Sequence, residues 1–424
     1  AKSRLCGQKR QAQQSPPGAP EEAPAPVANP TADELHQRSL PPSGGVPAAG
    51  HSDLIPLPRR PLFANTFCQM SPRQRKGGFP WDLILRLVRP ESTRRSPRGK
   101  KPRKVQEADR KTHLHPFTSA AEHAEEPPKL MVAGDGIHVR DANGKTYLDA
   151  MSGLWCVNVG YGRDEIVDAA AQQARRLPYY HTFAAMANEP VARLADRLIS
   201  LAPGNMSRVF FGSSGSDTND TQVKIVRYYH NVLGKPEKKK IIGRLGGYHG
   251  STMAGASLSG LPHMHAAFDL PLPGFLHVDS PHYWRHAPDG LSELEFSQLL
   301  AQNLEQRIVR EGPETVAAFI AEPVQGAAGV IPPPEGYFEA IVPILRKYDI
   351  LFIVDEVICG FGRLGEWWGS NVYGLEPDLV SAAKGLTSGY VPMSACIISE
   401  KVWQALREGS SQYGPFAHGY TYSG

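Results

Sequence analysis

From Tyr161 onward, short apolar runs alternate with stretches of helical period, and that alternation leaves few architectures open. The helical stretches are "DEIVDAAAQQARRL", "EPVARLADRLISLAP", "SDTNDTQVKIVRYYHNVLG" and "GYFEAIVPILRKYD". Between and beyond them lie "RVFFGSS", "KKIIGRL", "VAAFIAEPV", "ILFIVDE" and "MSACIIS". Several of these runs are apolar at consecutive positions, as a strand must be when both of its faces are covered. Strands separated by helices argue for an α/β fold, a mostly parallel sheet with helices on both faces. Upstream, "GIHVRDANGKTYLDAMSGLW" alternates apolar and polar residues around Asn143-Gly144, a hairpin signal.

Residues 1–114 differ in kind. They are rich in Pro, Ala, Gly, Gln, Ser and Arg with few periodic apolar positions, and are expected to be a disordered leader. Basic residues cluster between Arg59 and Lys111, so the net charge of +4 is a local excess and the rest of the chain is near neutral. The leader reads as a solvated tail, with an Arg-rich targeting segment or a nucleic-acid-binding arm as rivals, and nucleic acid is not an expected partner of the remainder. Cys6, Cys68, Cys156, Cys359 and Cys396 lack CxxC pairing, so neither a disulfide framework nor a zinc site is indicated and no metal is expected. A reducing, cytoplasmic location follows, or an organelle if the leader is a transit segment. No stretch approaches the roughly 18 uninterrupted apolar residues of a membrane span. The chain begins at Ala1 without methionine and stops in mid-pattern at "HGYTYSG", as a piece of a longer protein would.

The run "ILFIVDE" ends in two adjacent carboxylates, Asp355 and Glu356. A nucleotide hydrolase uses such a strand end to hold magnesium, but it also needs a GxxxxGK[ST] phosphate loop upstream. Neither "GSSGSDTND" nor "GGYHGSTMAG" has the lysine. An aspartate that only caps its strand is the plainer alternative. A different partner lies downstream, where "LVSAAKGLTSGY" places Lys384 directly after a short apolar run. Acid and lysine can then end two strands at the same carboxyl edge of the sheet, where ligands bind. Together they suggest pyridoxal phosphate, whose pyridine nitrogen needs an anion and whose aldehyde needs an amine. The cofactor's phosphate demands a third element, and "FFGSSGSDTNDTQVKIVRYY" supplies a glycine-rich turn opening a helix. Gly212, Gly215 and the serines let the backbone approach, Ser216 or Asp217 can serve as N-cap, and the free N–H groups receive the dianion.

From about His115 to Gly424 the sequence resembles the class III aminotransferases among the fold type I pyridoxal phosphate enzymes, and within them the ω-amino acid or amine:pyruvate transaminases. The resemblance rests on "YLDAMSGLWCVNVGYGR", "FFGSSGSDTNDTQVK", "GYHGST", "AEPVQGAAGV", "DEVICGFGRLGEWWG", "AAKGLTSGY" and "HGYTYSG", in that order. It implies that Lys384 is the Schiff-base lysine and the proton shuttle, and that Asp355 pairs with the pyridine nitrogen. Gly215 and Ser216 would bind phosphate, Tyr248 would stack on one ring face and Val357 would press on the other. Thr421 would reach the phosphate of a neighbouring subunit's cofactor, making the active site a property of a homodimer, and Trp155 would line the substrate pocket. Glu322 either touches the cofactor or caps its strand, His249 reads as a structural histidine, and Glu356 as a structural ion-pair partner.

The resemblance further implies a small α+β domain begun by residues 115–174 and a large cofactor domain over 175–424, with the C-terminal part of the small domain beyond Gly424. That part ordinarily carries the arginine that receives the substrate carboxylate. The implied reaction is ping-pong transfer of nitrogen from an amine or ω-amino acid to a 2-oxo acid such as pyruvate. An aminomutase, a decarboxylase and an inactive truncated fragment are the rivals. One departure is local: the family carries Glu where this chain has Asp217, one methylene shorter.

Overall fold

The computed structural model describes residues 100–422. The expectations for residues 1–99 lie outside it, but one for the end of the leader is corrected, because Lys100–Thr112 is a helix, α1. Its sequence is polar all round, so apolar periodicity could not reveal it. Local electrostatics favour it instead, through the Glu107–Lys111 pair at 2.8 Å and through Arg110 and Lys111 at the negative end of the helix. A short helix, α2 (Ala120–Glu125), follows.

A three-stranded antiparallel sheet comes next, β1 (Met131–Asp135), β2 (His138–Asp141) and β3 (Thr146–Leu148). The β2–β3 turn is the expected one: Gly144 takes φ +82°, and Asp141 Oδ1 accepts the N–H groups of Asn143 and Lys145, both at 2.9 Å. Aspartate bonding its own turn is what makes that turn cheap to form. Helices α3 (Asp164–Arg176) and α4 (Glu189–Leu201) lead into the second sheet.

That sheet has seven strands: β4 (Met206–Gly212), β5 (Lys240–Arg244), β6 (Phe275–Val278), β7 (Val316–Ala321), β8 (Leu351–Asp355), β9 (Leu379–Ala382) and β10 (Ser394–Ser399). In space the order is β4-β10-β9-β8-β7-β5-β6. The pairs from β9 through β6 are parallel, and β10 runs antiparallel to both of its neighbours. The mostly parallel sheet is therefore as expected.

Alternation along each strand then divides the core. Leu351 and Ile353 of β8 join Val223, Ile225 and Val226 of α5 (Gly215–Val232) on one face. Phe352 and Val354 meet the other layer on the opposite face, built from α7 (Glu293–Glu311) and α8 (Tyr337–Lys347), with the short α6 (Met253–Leu258) preceding them in the chain. Helix α9 (Glu400–Tyr413) packs beside α5. Ile353 and Val354 are completely buried, each worth roughly 1.5–3 kcal/mol relative to exposure, so the register of β8 is firmly held. No helix among the described residues is long and apolar enough to cross a membrane.

Candidate active site

Register on β8 decides where the acid pair points. Asp355 has the parity of Leu351 and Ile353 and so turns toward α5, whereas Glu356 turns to the other face. Among the described residues Glu356 does not form the expected ion pair. Its Oε2 accepts Gly369 N–H at 2.9 Å, and its Oε1 accepts the N–H and hydroxyl of Ser370 at 2.6 and 2.7 Å. Burial pushes its carboxyl up to about 7 despite those donors, with the charge of Asp355 adding to the effect. A strand-end acid can be held by backbone amides alone, and a sequence does not announce which amides will arrive.

Asp355 belongs to a polar chain threaded through an otherwise apolar layer. Its Oδ2 accepts Asn219 Nδ2 at 2.9 Å and lies 2.8 Å from His249 Nδ1, while Oδ1 accepts Val357 N–H at 3.1 Å. Asn219 also donates to His249 O at 2.7 Å, and its Oδ1 accepts the hydroxyl of Ser381, which lies 2.9 Å from Gln222 Oε1. Burial by itself would raise the Asp355 carboxyl, yet His249, Asn219 and the Val357 amide outweigh it and hold the group below its ordinary range. A buried anion is thereby maintained. Asn219, Gln222 and Ser381 were not singled out from the sequence. The available signal was Asn219 four residues after Gly215, hence on the same face of α5.

Lys384 stands two residues beyond the end of β9, in the left-handed region at φ +46°. That conformation is costly for a residue with a side chain, and such strain collects at functional positions. Burial lowers its ammonium below the ordinary value, and the opposing charges of Asp355 and Glu322 offset this only in part. A lysine so placed offers neutral amine more readily than an exposed one. Glu322, one residue past β7, accepts Tyr248 N–H at 3.2 Å and Gly326 N–H at 2.8 Å. It is fully buried, and burial together with the Asp355 charge raises it, against the pull of His249 and Arg244.

The phosphate-loop candidate forms at the end of β4. Ser214, not Ser216 or Asp217, is the N-cap of α5: its hydroxyl accepts Asp217 N–H at 3.2 Å, and Asp217 Oδ2 returns the bond to Ser214 N–H at 3.0 Å. The shorter acid therefore closes a capping box, and it also takes Ser213 N–H and the Ser394 hydroxyl, each at 2.9 Å. With Ser214 as cap, the N–H groups of Gly215 and Ser216 are first-turn donors with no acceptor inside the helix. Close packing explains two glycines: a Cβ on Gly215 would stand 3.0 Å from Val357, and one on Gly250, at φ +122°, 2.7 Å from Ser216 Cα.

Gly215, Ser216, Tyr248, Asp355, Val357 and Lys384 all line one cleft of about 440 Å³, with Asn219, His249 and Glu322. It opens where β4, β5, β7, β8 and β9 end, at the carboxyl edge of the sheet. Trp155 is outside this lining but adjacent, its ring 5.8 Å from Lys384 Nζ. Thr421 is not in the lining either; its carbonyl accepts the Tyr179 hydroxyl at 2.7 Å.

With this geometry in place, the likeness to known proteins is specific. The family model described as aminotransferase class-III matches residues 119–424. This chain belongs to the class III aminotransferases. It is 50% identical over 315 residues to a diaminobutyrate–2-oxoglutarate transaminase of Halomonas elongata, across 74% of this chain and 66% of that protein. It is 53% identical over 312 residues to vanillin aminotransferase of Capsicum chinense, across 73% and 68% respectively. Among solved structures it resembles the omega transaminase from Pseudomonas jessenii in complex with PMP, with TM-score 0.74, 50% identity, and coverage of 75% of this chain and 70% of that one. The matched part thus spans about two thirds of the length of these class III relatives. Fold type I architecture, a mostly parallel sheet flanked by helices, is what the family and its solved members share with this chain.

Proposed function

We propose that this chain carries the cofactor site of a pyridoxal-phosphate-dependent transaminase, one that moves an amino group from an amine or ω-amino acid to a 2-oxo acid such as pyruvate. A single observation carries the proposal: a buried, stabilised carboxylate and a lysine of lowered basicity line the same cleft as Gly215 and Ser216, the first residues of helix α5. When bound, pyridoxal phosphate supplies an aldehyde that exchanges between amines and a ring that takes up the electron pair released at the substrate carbon. The first-turn N–H groups of α5 that line the cleft suit an anion brought against the helix end, and PMP in the P. jessenii complex, the amine form of that cofactor, supports the choice.

Each residue then has work of its own. Gly215 and Ser216 donate their N–H groups to the phosphate. Asp355, held anionic by Asn219 and His249, faces the ring nitrogen and keeps it protonated. Tyr248, its hydroxyl 3.1 Å from Ser251 Oγ, and Val357 bracket the ring. Lys384 Nζ would anchor the cofactor and, once a substrate amine has freed it, would move the proton between the substrate's amine-bearing carbon and the cofactor's aldehyde carbon, in one direction for the donor and in the reverse direction for the acceptor. Trp155 borders the substrate. Thr421 serves the phosphate of a second copy in a homodimer, residues 115–174 start a small domain against the large one from 175, and the enzyme works in the cytoplasm or, with the leader as transit segment, in an organelle.

The test is transfer of nitrogen from an ω-amino acid to pyruvate, followed as alanine formed, by wild type and Lys384→Ala. The variant should lose turnover and the cofactor that borohydride otherwise fixes to the chain. Turnover at the wild-type rate by Lys384→Ala would sink the assignment. Carbon dioxide released without consumption of pyruvate would favour a decarboxylase.

A further inference from the structure

Far from the cleft in function, four side chains at the junction of α1 and α2 converge. His115 Nε2 lies 2.7 Å from Asp109 Oδ1, His113 Nδ1 lies 3.1 Å from Asp109 Oδ2, and His123 Nε2 lies 3.5 Å from Asp109 Oδ1. The ligand atoms of Asp109, His113 and His115 all fall within 4.8 Å of one another. The rings of His113 and His115 are 4.4 Å apart and those of His115 and His123 4.1 Å apart. All three histidines line one hollow of about 290 Å³.

Ordinary hydrogen bonding accounts for only part of this cluster. His113 and His115 each engage one oxygen of Asp109, while the His123 side chain is only 11% exposed and its Nε2, beside the same carboxylate, has no hydrogen-bond partner. A buried ring nitrogen left unbonded is unfavourable by roughly 1–3 kcal/mol. Four ligands around zinc at about 2.0–2.1 Å sit about 3.3 Å apart; the His115 and His123 nitrogens stand 2.7 and 3.5 Å from Oδ1 of Asp109, on either side of that value, and His113 Nδ1 stands 3.1 Å from Oδ2. Asp109, His113 and His115 thus supply three ligand atoms already gathered together, and His123, beside Oδ1 and the His115 ring, is the candidate for the fourth. Of the two cations beside the hollow, Lys111 is paired with Glu107 at 2.8 Å, and Arg110 is drawn to the carbonyl of Glu125 at 3.2 Å.

We propose that Asp109, His113, His115 and His123 bind a divalent cation of the zinc class and thereby clamp α1 to α2. Three imidazoles with one carboxylate suit zinc, cobalt or nickel, not magnesium or calcium, which prefer oxygen. A structural role fits the location, because His123 is the one residue of α2 that is not exposed and α2 has no apolar core of its own.

The test uses the full chain without a histidine tag, stripped with chelator and free of added cofactor. Zinc chloride is titrated calorimetrically, and cobalt chloride is titrated with visible absorbance. The expected result is one saturable cation per chain, four-coordinate cobalt bands, and affinity that falls as pH drops through the imidazole range because the ligands must lose their protons. The double variant His115→Gln/His123→Gln should bind zinc roughly 100-fold more weakly, while His286→Gln, outside the cluster, should bind as wild type does. Equal affinity in the double variant and wild type overturns the proposal. If the double variant fails to fold, the cobalt spectrum of the unaltered chain decides, and six-coordinate bands or no saturation overturn it.

Discussion

Replacing Asn219 by aspartate changes almost no volume, yet the network around Asp355 turns it into a pH-dependent loss of stability. The Asn219 amide now donates to Asp355 Oδ2 at 2.9 Å and to His249 O at 2.7 Å. In Asn219→Asp an oxygen stands in place of that nitrogen, and two carboxyls face each other where Asp355 is only 3% exposed. Two full charges at that separation would repel by about 6 kcal/mol at an effective dielectric of 20, so the pair retains a proton instead. Holding an acid of unfolded pKa about 3.9 protonated at pH 7 costs about 4 kcal/mol, which caps the penalty. Because the folded pKa of the pair is raised, the variant keeps its stability relative to wild type below about pH 4. It loses that stability as pH climbs, until the raised pKa is passed. A further loss of roughly 1–2 kcal/mol, independent of pH, comes from leaving His249 O without its donor. Urea unfolding of both proteins at pH 4.5 and 7.5 measures the gap, which should widen by about 3 kcal/mol. A gap of the same size at both pH values would refute the placement of residue 219 against the Asp355 charge.

Three further outcomes are expected. Glu356, pushed up to about 7 from an ordinary 4.5, contributes stability that is present below pH 4.5 and lost as pH rises to 7; Glu356→Gln should therefore gain about 3 kcal/mol on wild type across that interval, read from denaturant midpoints, and an unchanged difference would count against the burial argument. Gly250→Ala puts a Cβ 2.7 Å from Ser216 Cα at a positive φ; it should destabilise by roughly 2–4 kcal/mol and weaken inorganic phosphate binding, whereas wild-type melting would mean that the helix end is less tightly enclosed. Asp217→Ala removes the return half of the capping box and should cost about 1–2 kcal/mol, visible as a lower melting temperature.

Much of this molecule is written in short stretches of sequence. The turn at Asn143-Gly144, the helices opening after Asn188 and Ser214, and the buried strand before Asp355 each follow from residues within a few positions of one another. Lys384 and Asp355 were legible for the same reason: each ends an apolar run, and one run cannot place a charged group anywhere but its end. Helix α1 was missed because its support is charge pairing and contact with distant groups, such as Gln106 Nε2 donating to Pro128 O at 2.8 Å, and not an apolar stripe.

What only the tertiary structure decided is who satisfies whom. Asn219 meets Asp355 across 136 positions of chain and Ser381 across 162, and His249 meets Asp355 across 106. Alternation determines that neighbours on a strand face opposite ways, but which helix covers each face is settled by the strand order. Here that order sends Asp355 to donors that include the His249 imidazole and outweigh its burial, and Glu356 to neutral donors that do not. Identical chemistry in adjacent letters becomes two different groups, because the free energy of a buried charge depends on partners that the chain brings from far away.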